Sequence, residues 1–226
     1  MDSVEELGVI FDMDGVLIDS YEAHFSAWQR MLLNHGMTMS RELFSNTFGQ
    51  TNTEIFSTRY PNIDPAVYRR LSDEKEAAYR GIISANFPVM DGAAELVADL
   101  KFAGITLAIG SSGPPENVCA VLNVFPGGQY FKATTDASDV TRSKPDPEVF
   151  LKAAAKINIP VQKCVVVEDA PAGVRAGIAA GCAVVAVTGT TSREFLDEAD
   201  LVVDSLRELT PEIFKDLVRS HRKTER

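Results

Sequence analysis

The stretch from residue 9 to residue 15, VIFDMDG, restricts the fold of this chain more than any other segment. Its first three residues, 9–11, are apolar, a pattern typical of a strand buried on both faces of a sheet. Asp12 and Asp14 follow, and Gly15 is suited to the turn that ends the strand. Because ligands of open parallel sheets bind at the carboxyl ends of the strands, the stretch predicts two carboxylates at a binding edge.

Further apolar runs alternate with helical patterns along most of the chain. Short strands are predicted at residues 105–109, 131–134, 164–167, 183–187 and 201–203. Helical segments separate most of them, which is the arrangement of a parallel sheet whose right-handed crossovers place helices on both faces. The predicted fold class is therefore α/β, with a Rossmann-like parallel sheet.

One long interval, residues 21–87, shows helical patterns only, and its segment 51–54, TNTE, resembles a capping box. We expect this interval to be a small α-helical domain inserted after the first strand. Residues 1–20 and 88–226 then form the α/β core domain. Asp91 is predicted to cap the first helix after the insertion.

The composition of the chain excludes several classes of partner. With 226 residues, 45% of them hydrophobic, it is long enough to bury a core, and its net charge of −10 disfavours nucleic acid and anionic membranes. No run approaches the roughly 20 apolar residues of a membrane-spanning helix. Cys119, Cys164 and Cys182 show no spacing typical of disulfides or zinc, so we expect reduced, buried thiols in a cytoplasmic monomer.

The spacing of the two acids suits catalysis. Carboxylates two residues apart on an extended loop can face one pocket, where Asp12 attacks a substrate as nucleophile and Asp14 moves a proton as general acid and base. An aspartate after a strand also commonly caps a turn, and the DxDG pattern alone leaves both interpretations open.

Four segments, taken together, resemble the motifs of the haloacid dehalogenase superfamily. DMDGVLIDS is similar to its first motif, and Ser111 in LAIGSSG closes an apolar strand as its second motif requires. Lys144 in SKPDPEVF matches the third motif, and the pair Glu168 and Asp169 in VVVEDAPAG matches the fourth. The resemblance covers nearly the whole chain and implies phosphoryl transfer through an aspartyl-phosphate, with a small phosphorylated metabolite as the partner.

The resemblance also implies the cofactor and the site. It places Mg²⁺ on Asp12 and Asp169, on the backbone carbonyl of Asp14, and on Glu168 directly or through water, and such oxygen ligands are those that Mg²⁺ prefers. The phosphate-binding residues that it implies are Ser111, Ser112 and Lys144.

Each of these later motif residues has an alternative interpretation. Ser111 can be read as the cap of the following turn, Lys144 as a surface lysine before a helix, and Glu168 as a structural acceptor of loop amides.

The helical insertion resembles the α-helical cap found in the beta-phosphoglucomutase-like branch of this superfamily. The candidate substrate residues that follow from this resemblance are His24, Phe48, Gly49, Asn52 and Lys75. His24 reads equally well as a plain surface or core residue. Lys75 lies in a highly charged helix, where a solvated position is the more ordinary one.

The same comparison separates two reactions. A sugar-phosphate mutase of this branch carries a Lys-Gly pair and a nearby Arg in its cap, whereas segment 48–52, FGQTN, keeps only the glycine. A second substrate phosphate needs positive charge, so we expect a phosphatase that hydrolyses a small phosphomonoester, with the mutase as the alternative. A dehalogenase would lack Asp14, and a catalytically silent interaction domain would have lost the nucleophile or the metal acids, all of which are present.

Overall fold

A computed structural model describes residues 6–47 and 50–224 of the chain, without the side chains of residues 222–224. The chain divides into two compact units. One consists of Met1–Asp19 together with Val89–Arg226, and the other of Ser20–Pro88. We call them the α/β unit and the helical unit.

A parallel sheet forms the centre of the α/β unit. Its strands are β1 (Gly8–Phe11), β2 (Thr106–Gly110), β3 (Phe131–Thr135), β4 (Cys164–Glu168), β5 (Ala183–Val187) and β6 (Leu201–Val203). Over the described residues their order is β3-β2-β1-β4-β5-β6, and every neighbouring pair is parallel. The predicted α/β class with a Rossmann-like parallel sheet is confirmed.

The helices account for most of the remaining secondary structure. They are α1 (Tyr21–Asn34), α2 (Arg41–Ser45), α3 (Asn52–Arg59), α4 (Tyr68–Ala85), α5 (Ala93–Phe102), α6 (Pro115–Val124), α7 (Glu148–Ile157), α8 (Pro171–Ala179) and α9 (Pro211–Thr224). None of the described helices combines the length and the apolar character needed to cross a bilayer.

Strand β1 is apolar throughout because both faces of the sheet are covered. Ile10 belongs to a buried cluster on one face, together with Val166 of β4 and Phe150 of α7. Side chains alternate along a strand, so Val9 and Phe11 point to the opposite face, and both are completely buried as well. A continuous apolar run is the sequence consequence of such two-sided burial.

The helical unit has its own core, built from aromatic and aliphatic side chains. Trp28 of α1 meets Phe56 of α3 edge to face with ring centroids 5.1 Å apart, and Leu71 of α4 joins the same cluster. Burying a side chain of this size stabilises the fold by about 1.5–3 kcal/mol. The predicted capping box is confirmed at the start of α3, where the side chains of Thr51 and Glu54 each accept a hydrogen bond from the other's backbone N–H.

Two local predictions were wrong. Helix α5 begins at Ala93 after Gly92, and the carboxylate of Asp91 instead accepts hydrogen bonds of 2.9 and 2.6 Å from the Arg207 guanidinium. Cys119 is exposed rather than buried, because α6 turns the neighbouring position, Val118, toward the core. Consecutive helix residues point in directions about 100° apart, and Asn117, Val118 and Val121 occupy the buried side of α6, which leaves Cys119 on the exposed side.

The strand order places a ligand-binding edge next to β1. The chain proceeds from β1 to β2 and β3 on one side of the sheet and continues with β4 on the other side. The crevice outside the carboxyl ends of β1 and β4 is therefore the topological switch point, where ligands of such sheets bind. Asp12 follows β1 there, and its N–H donates to Val167 O of β4 at 2.9 Å.

A substitution at Gly177 tests how closely α8 packs on the sheet. A Cβ atom at this position would lie 2.8 Å from Val184 Cγ2, so we expect Gly177→Ala to lower the free energy of unfolding by about 1–3 kcal/mol through overpacking. Urea denaturation measures this change. The control is Gly81→Ala in α4, where a Cβ would meet nothing within 4 Å and we expect a gain of about 0.5–1 kcal/mol. An unchanged stability of Gly177→Ala would contradict the packing argument.

Candidate active site

Three carboxylates converge at the switch point. Asp12 comes directly after β1, Glu168 ends β4 and Asp169 follows it, and the three offer ligand oxygens within 4.8 Å of one another. Their exposed fractions are 7%, 1% and 4%, respectively. The pairing of β1 with β4 brings these acids together, since Phe11 stands opposite Val167 in the register.

Lys144 joins this cluster from the loop before α7. Its Nζ donates to Asp12 Oδ1 at 2.5 Å and to Glu168 Oε1 at 2.7 Å. The loop is tied to the start of α7, because Glu148 Oε2 accepts hydrogen bonds from the backbone N–H groups of Thr141 and Arg142 at 2.8 and 3.1 Å. Lys144, whose side chain is 9% exposed, is therefore held as a largely buried cation between two carboxylates and is not the surface lysine of the alternative interpretation.

Glu168 is oriented from both sides of its carboxylate. Oε1 accepts from Lys144, while Oε2 accepts from the N–H groups of Asp169 and Ala170 at 2.9 and 3.0 Å. A Cβ atom on Gly173 would lie 1.7 Å from Oε1, so only glycine at that position of α8 leaves room for this carboxylate. Glu168 thus has the structural role of the alternative interpretation and also places its charge in the cluster.

The electrostatics of the cluster are unusual because the negative charges are buried. Burial raises the pKa of Asp12 to about 7; Lys144 opposes this, and the charge of Glu168 adds to it. Burial and the charges of Glu168 and Asp12 also raise the pKa of Asp169 well above its ordinary value. Burial acts to lower the pKa of Lys144, but the carboxylates beside it raise that pKa above its usual range.

The donor set fits a divalent metal ion. The three carboxylates carry more negative charge than the single ammonium of Lys144 neutralises. A buried charge that lacks a partner is strongly unfavourable, and oxygen-rich sites of this kind suit hard divalent cations. Burial is the largest cause of the raised pKa values of Asp12 and Asp169, and a nearby cation would favour their charged forms.

Thr190 is a site residue that the sequence interpretation missed. Its hydroxyl donates a short hydrogen bond to Asp169 Oδ2 from the loop after β5. The only signal in the sequence is its position shortly after the apolar run 183–187, at the same edge of the sheet.

Ser111 and Ser112 follow β2 and line one cavity together with Lys144. Ser111 is buried, and its Oγ accepts a hydrogen bond of 2.9 Å from Gly113 N–H, which is the turn-capping role of the alternative interpretation. That bond uses an oxygen lone pair and leaves the hydroxyl proton available as a donor.

Asp14 lies in the turn after Asp12 and is half-buried. Gly15 N–H closes this turn by donating to Ile18 O at 2.8 Å. The charge of Asp14 contributes to the raised pKa of Asp12, so the two carboxylates of the DxDG motif are electrostatically coupled.

The helical unit contains a second polar cluster, formed by three of the candidate substrate residues and Glu76. Lys75 Nζ lies 2.8 Å from both His24 Nδ1 and Glu76 Oε1, and Asn52 Nδ2 donates to Glu76 Oε1 at 2.8 Å. The ring of His24 stacks on Tyr79 with centroids 4.0 Å apart. The other two candidates, Phe48 and Gly49, lie outside the described residues.

The solvated position expected for Lys75 was wrong, since its exposed fraction is 3%. Helix α4 packs this residue toward α1, and the neighbouring Glu76 supplies the counter-charge that burial requires. Burial acts to raise the pKa of Glu76, but Lys75 and His24 hold that pKa below its ordinary value. Such a buried pair is difficult to recognise in a charged helix segment, because the sequence shows which residues are charged but not which side chains point toward the core.

The ion pair between Lys75 and Glu76 predicts a large cost for neutralising one partner. We expect Glu76→Gln to lower the free energy of unfolding by about 3–5 kcal/mol, because the buried ammonium of Lys75 loses the counter-charge beside it. Asp73→Asn, which neutralises an acid at an exposed position of the same helix, is the matched control. Chemical denaturation of both variants measures the difference, and equal losses would contradict a buried ion pair.

Comparison with known proteins agrees with this geometry. The family model of haloacid dehalogenase-like hydrolases matches residues 9–187. Hexitol phosphatase A of Escherichia coli (strain K12) is 35% identical over 209 residues, which cover 90% of this chain and 93% of the relative. Beta-phosphoglucomutase of Bacillus subtilis (strain 168) is 31% identical over 219 residues, covering 92% and 93% of the two chains.

Among solved structures, beta-phosphoglucomutase from Clostridium difficile superposes with a TM-score of 0.83 at 27% identity, over 96% of this chain and 98% of that one. Fold, acidic cluster and sequence similarity thus lead to the same assignment: the chain belongs to the haloacid dehalogenase-like hydrolases.

Proposed function

We propose that this protein is a Mg²⁺-dependent phosphatase that hydrolyses a small sugar phosphate through a phosphorylated Asp12. The observation that carries the proposal is the buried cluster of Asp12, Glu168 and Asp169 with Lys144 at the switch point. The names of relatives add to it, since one is a hexitol phosphatase and another a beta-phosphoglucomutase. Both act on phosphorylated sugars, which makes this the substrate class to test.

The proposed metal site uses the acids of this cluster. Asp12 and Asp169 provide carboxylate oxygens, Asp14 its backbone carbonyl, and Glu168 a further oxygen directly or through water. When bound, Mg²⁺ neutralises the carboxylates and the substrate phosphate, so that an anionic nucleophile can approach an anionic phosphoryl group.

The first chemical step belongs to the DxDG motif. A carboxylate oxygen of Asp12 attacks phosphorus in line with the leaving oxygen, and the bond from phosphorus to that oxygen breaks. Asp14, protonated at this stage, transfers its proton to the leaving alkoxide. The products are the free alcohol and an acyl phosphate on Asp12.

The second step reverses the role of Asp14. Its carboxylate, now ionised, takes a proton from water as the water oxygen attacks the phosphoryl group. Inorganic phosphate leaves and Asp12 is regenerated. Lys144 and the hydroxyl of Ser111 are the proposed donors to the phosphoryl oxygens in both steps, with Ser112 beside them in the same cavity.

The charges in the helical unit favour water, rather than a sugar hydroxyl, as the acceptor of the phosphoryl group. The sequence contains no Lys or Arg between Arg41 and Arg59, and the ammonium of Lys75 is already neutralised by Glu76. A mutase has to bind a sugar bisphosphate, whose second phosphate needs cations of its own. We propose that the helical unit serves as a cap and that His24, Phe48, Gly49, Asn52 and Lys75 contact the sugar.

A screen for phosphate release tests the proposed reaction. Hexitol phosphates, aldose phosphates and other small phosphomonoesters are incubated with the protein and Mg²⁺, while a coupled assay follows conversion of beta-glucose 1-phosphate to glucose 6-phosphate. We expect phosphate release from at least one sugar phosphate. Isomerisation without phosphate release would establish the mutase instead, and a lack of any turnover or covalent phosphate adduct would favour a silent domain.

Two variants assign the steps to residues. Asp12→Asn removes the nucleophile, and we expect kcat to fall by at least about 10⁴-fold. Asp14→Asn keeps the nucleophile and removes the proton donor, for which a loss of about 10²–10⁴-fold is expected. Asp99→Asn, at an exposed position of α5, is the control. Full activity of Asp12→Asn would disprove the proposed intermediate.

The raised pKa values predict how the metal effect depends on pH. In the metal-free protein Asp12 has a pKa of about 7, against about 3.9 when unfolded, so the folded state binds more protons in between and stability falls as pH rises from about 4 to about 7. Bound Mg²⁺ removes this loss. We expect Mg²⁺ to raise Tm more at pH 7.5 than at pH 5.5, with about 2.7 kcal/mol gained at 100 times Kd.

Thermal unfolding in EDTA and in Mg²⁺ at both pH values measures this difference. Asp12→Asn is the control, since it cannot titrate at this position and should show a weaker pH dependence. An equal Mg²⁺ effect at the two pH values would contradict the predicted linkage.

A further inference from the structure

The proposed reaction steps assign no role to the hydrogen bond between Thr190 and Asp169. Thr190 Oγ1 donates a short hydrogen bond to Asp169 Oδ2, and the Asp169 carbonyl oxygen is farther away, at 3.3 Å. A hydroxyl has one proton, so the nearer carboxylate oxygen is its acceptor. Among the described residues, no donor forms a hydrogen bond with the other carboxylate oxygen, Oδ1.

The loop after β5 is built to bring Thr190 to this place. Thr188 is tied to β6, since its N–H donates to Val203 O at 3.0 Å and its hydroxyl donates to Asp204 Oδ1 at 3.0 Å. Gly189 follows with φ of +143°, in a region that side chains rarely adopt. The turn at this glycine links Thr188, which is bonded to β6, with Thr190, which is bonded to Asp169.

The backbone at Gly15 also lies against Asp169 Oδ2. A Cβ atom on Gly15 would lie 1.9 Å from this oxygen, so the backbone of the DxDG turn is in close contact with the carboxylate. Rotation of the carboxylate is therefore restricted by Gly15 and by the hydrogen bond from Thr190. Both contacts are closest to Oδ2: a Cβ atom on Gly15 would lie 3.2 Å from Oδ1, and Oδ1 accepts no hydrogen bond from Thr190.

We propose that Thr190 is a positioning residue for the metal site, which holds Oδ2 of Asp169 so that Oδ1 is presented to the divalent cation. The proposal rests on the metal binding described under the proposed function. Ligating carboxylates are commonly held by such hydrogen bonds, and their loss typically weakens metal binding by about 10–100-fold. Thr190 does not touch the substrate in this proposal and acts only through Asp169.

The competing explanation is that Thr190 merely anchors its loop. The chain offers a matched control, because Thr188 also holds this loop with its hydroxyl but bonds to Asp204 and not to a carboxylate of the cluster. A variant that removes the Thr188 hydroxyl loosens the same loop and leaves the contact with Asp169 in place. The two threonines therefore separate anchoring from ligand positioning.

Binding of Mn²⁺ to the substrate-free protein tests the proposal, with the unbound ion measured by electron paramagnetic resonance and Mg²⁺ added as competitor. The variants are Thr190→Val, Thr190→Ala, Thr190→Ser and Thr188→Val. Valine keeps the shape of threonine but sets a methyl group against Asp169 Oδ2, so alanine is included as the variant that removes the hydroxyl without this contact. Urea unfolding in EDTA verifies that each variant is folded.

We expect Thr190→Val and Thr190→Ala to bind Mn²⁺ about 10-fold more weakly or worse. Thr190→Ser, which retains a hydroxyl, and Thr188→Val should bind it like the original protein. Unchanged affinity of Thr190→Ala would overturn the proposal, as would an equal loss in Thr188→Val. If the original protein binds neither ion, the metal site of the proposed function fails as well, which distinguishes the two failures.

Discussion

The structure of the α/β unit depends on burying three carboxylates beside a single ammonium. Like charges repel most strongly where water is excluded, and Asp12, Glu168 and Asp169 are each more than nine-tenths buried. Lys144 neutralises part of this charge, and burial together with the repulsion between the carboxylates raises the pKa values of Asp12 and Asp169. A divalent cation would relieve this electrostatic cost by neutralising the carboxylates.

Much of the neighbouring backbone is arranged to hold these groups. The parallel pairing of β1 and β4 brings two strand ends side by side. Gly15 and Gly173 leave space for carboxylate oxygens where any side chain would collide with them. The amide contacts of Glu148 fix the loop that carries Lys144. Precise placement is needed because a carboxylate that is free to rotate would relieve the repulsion and lose its ligand geometry.

The helical unit uses buried charge in a different way. In its polar cluster Lys75 pairs with Glu76, and Asn52 donates a hydrogen bond to the same carboxylate. An ammonium that is already paired with a carboxylate is less suited to bind a second phosphate, which needs net positive charge. The preference for a phosphatase therefore rests on this charge balance as well as on the sequence of segment 48–52.

The sequence by itself determined the features that depend on local patterns. The apolar run before Asp12 predicted a buried strand, the alternation of segments predicted the parallel sheet, and Thr51 with Glu54 predicted a capping box, because each pattern reports burial or hydrogen bonding within a few residues. The resemblance to the haloacid dehalogenase motifs also marked Lys144 and the pair Glu168 and Asp169, although their contacts span up to 132 positions of the chain.

Only the tertiary structure decided which charges face one another. The sequence did not reveal that Lys75 is buried, because it lies in a charged segment. It also did not reveal the contacts of Asp91 with Arg207 and of Thr190 with Asp169, because each joins residues that are distant in sequence. No periodicity encodes such contacts, since a side chain's partner depends on how separate elements pack. The sequence identifies the groups that carry charge, and the packing of those elements sets their distances, their desolvation and thereby their pKa values.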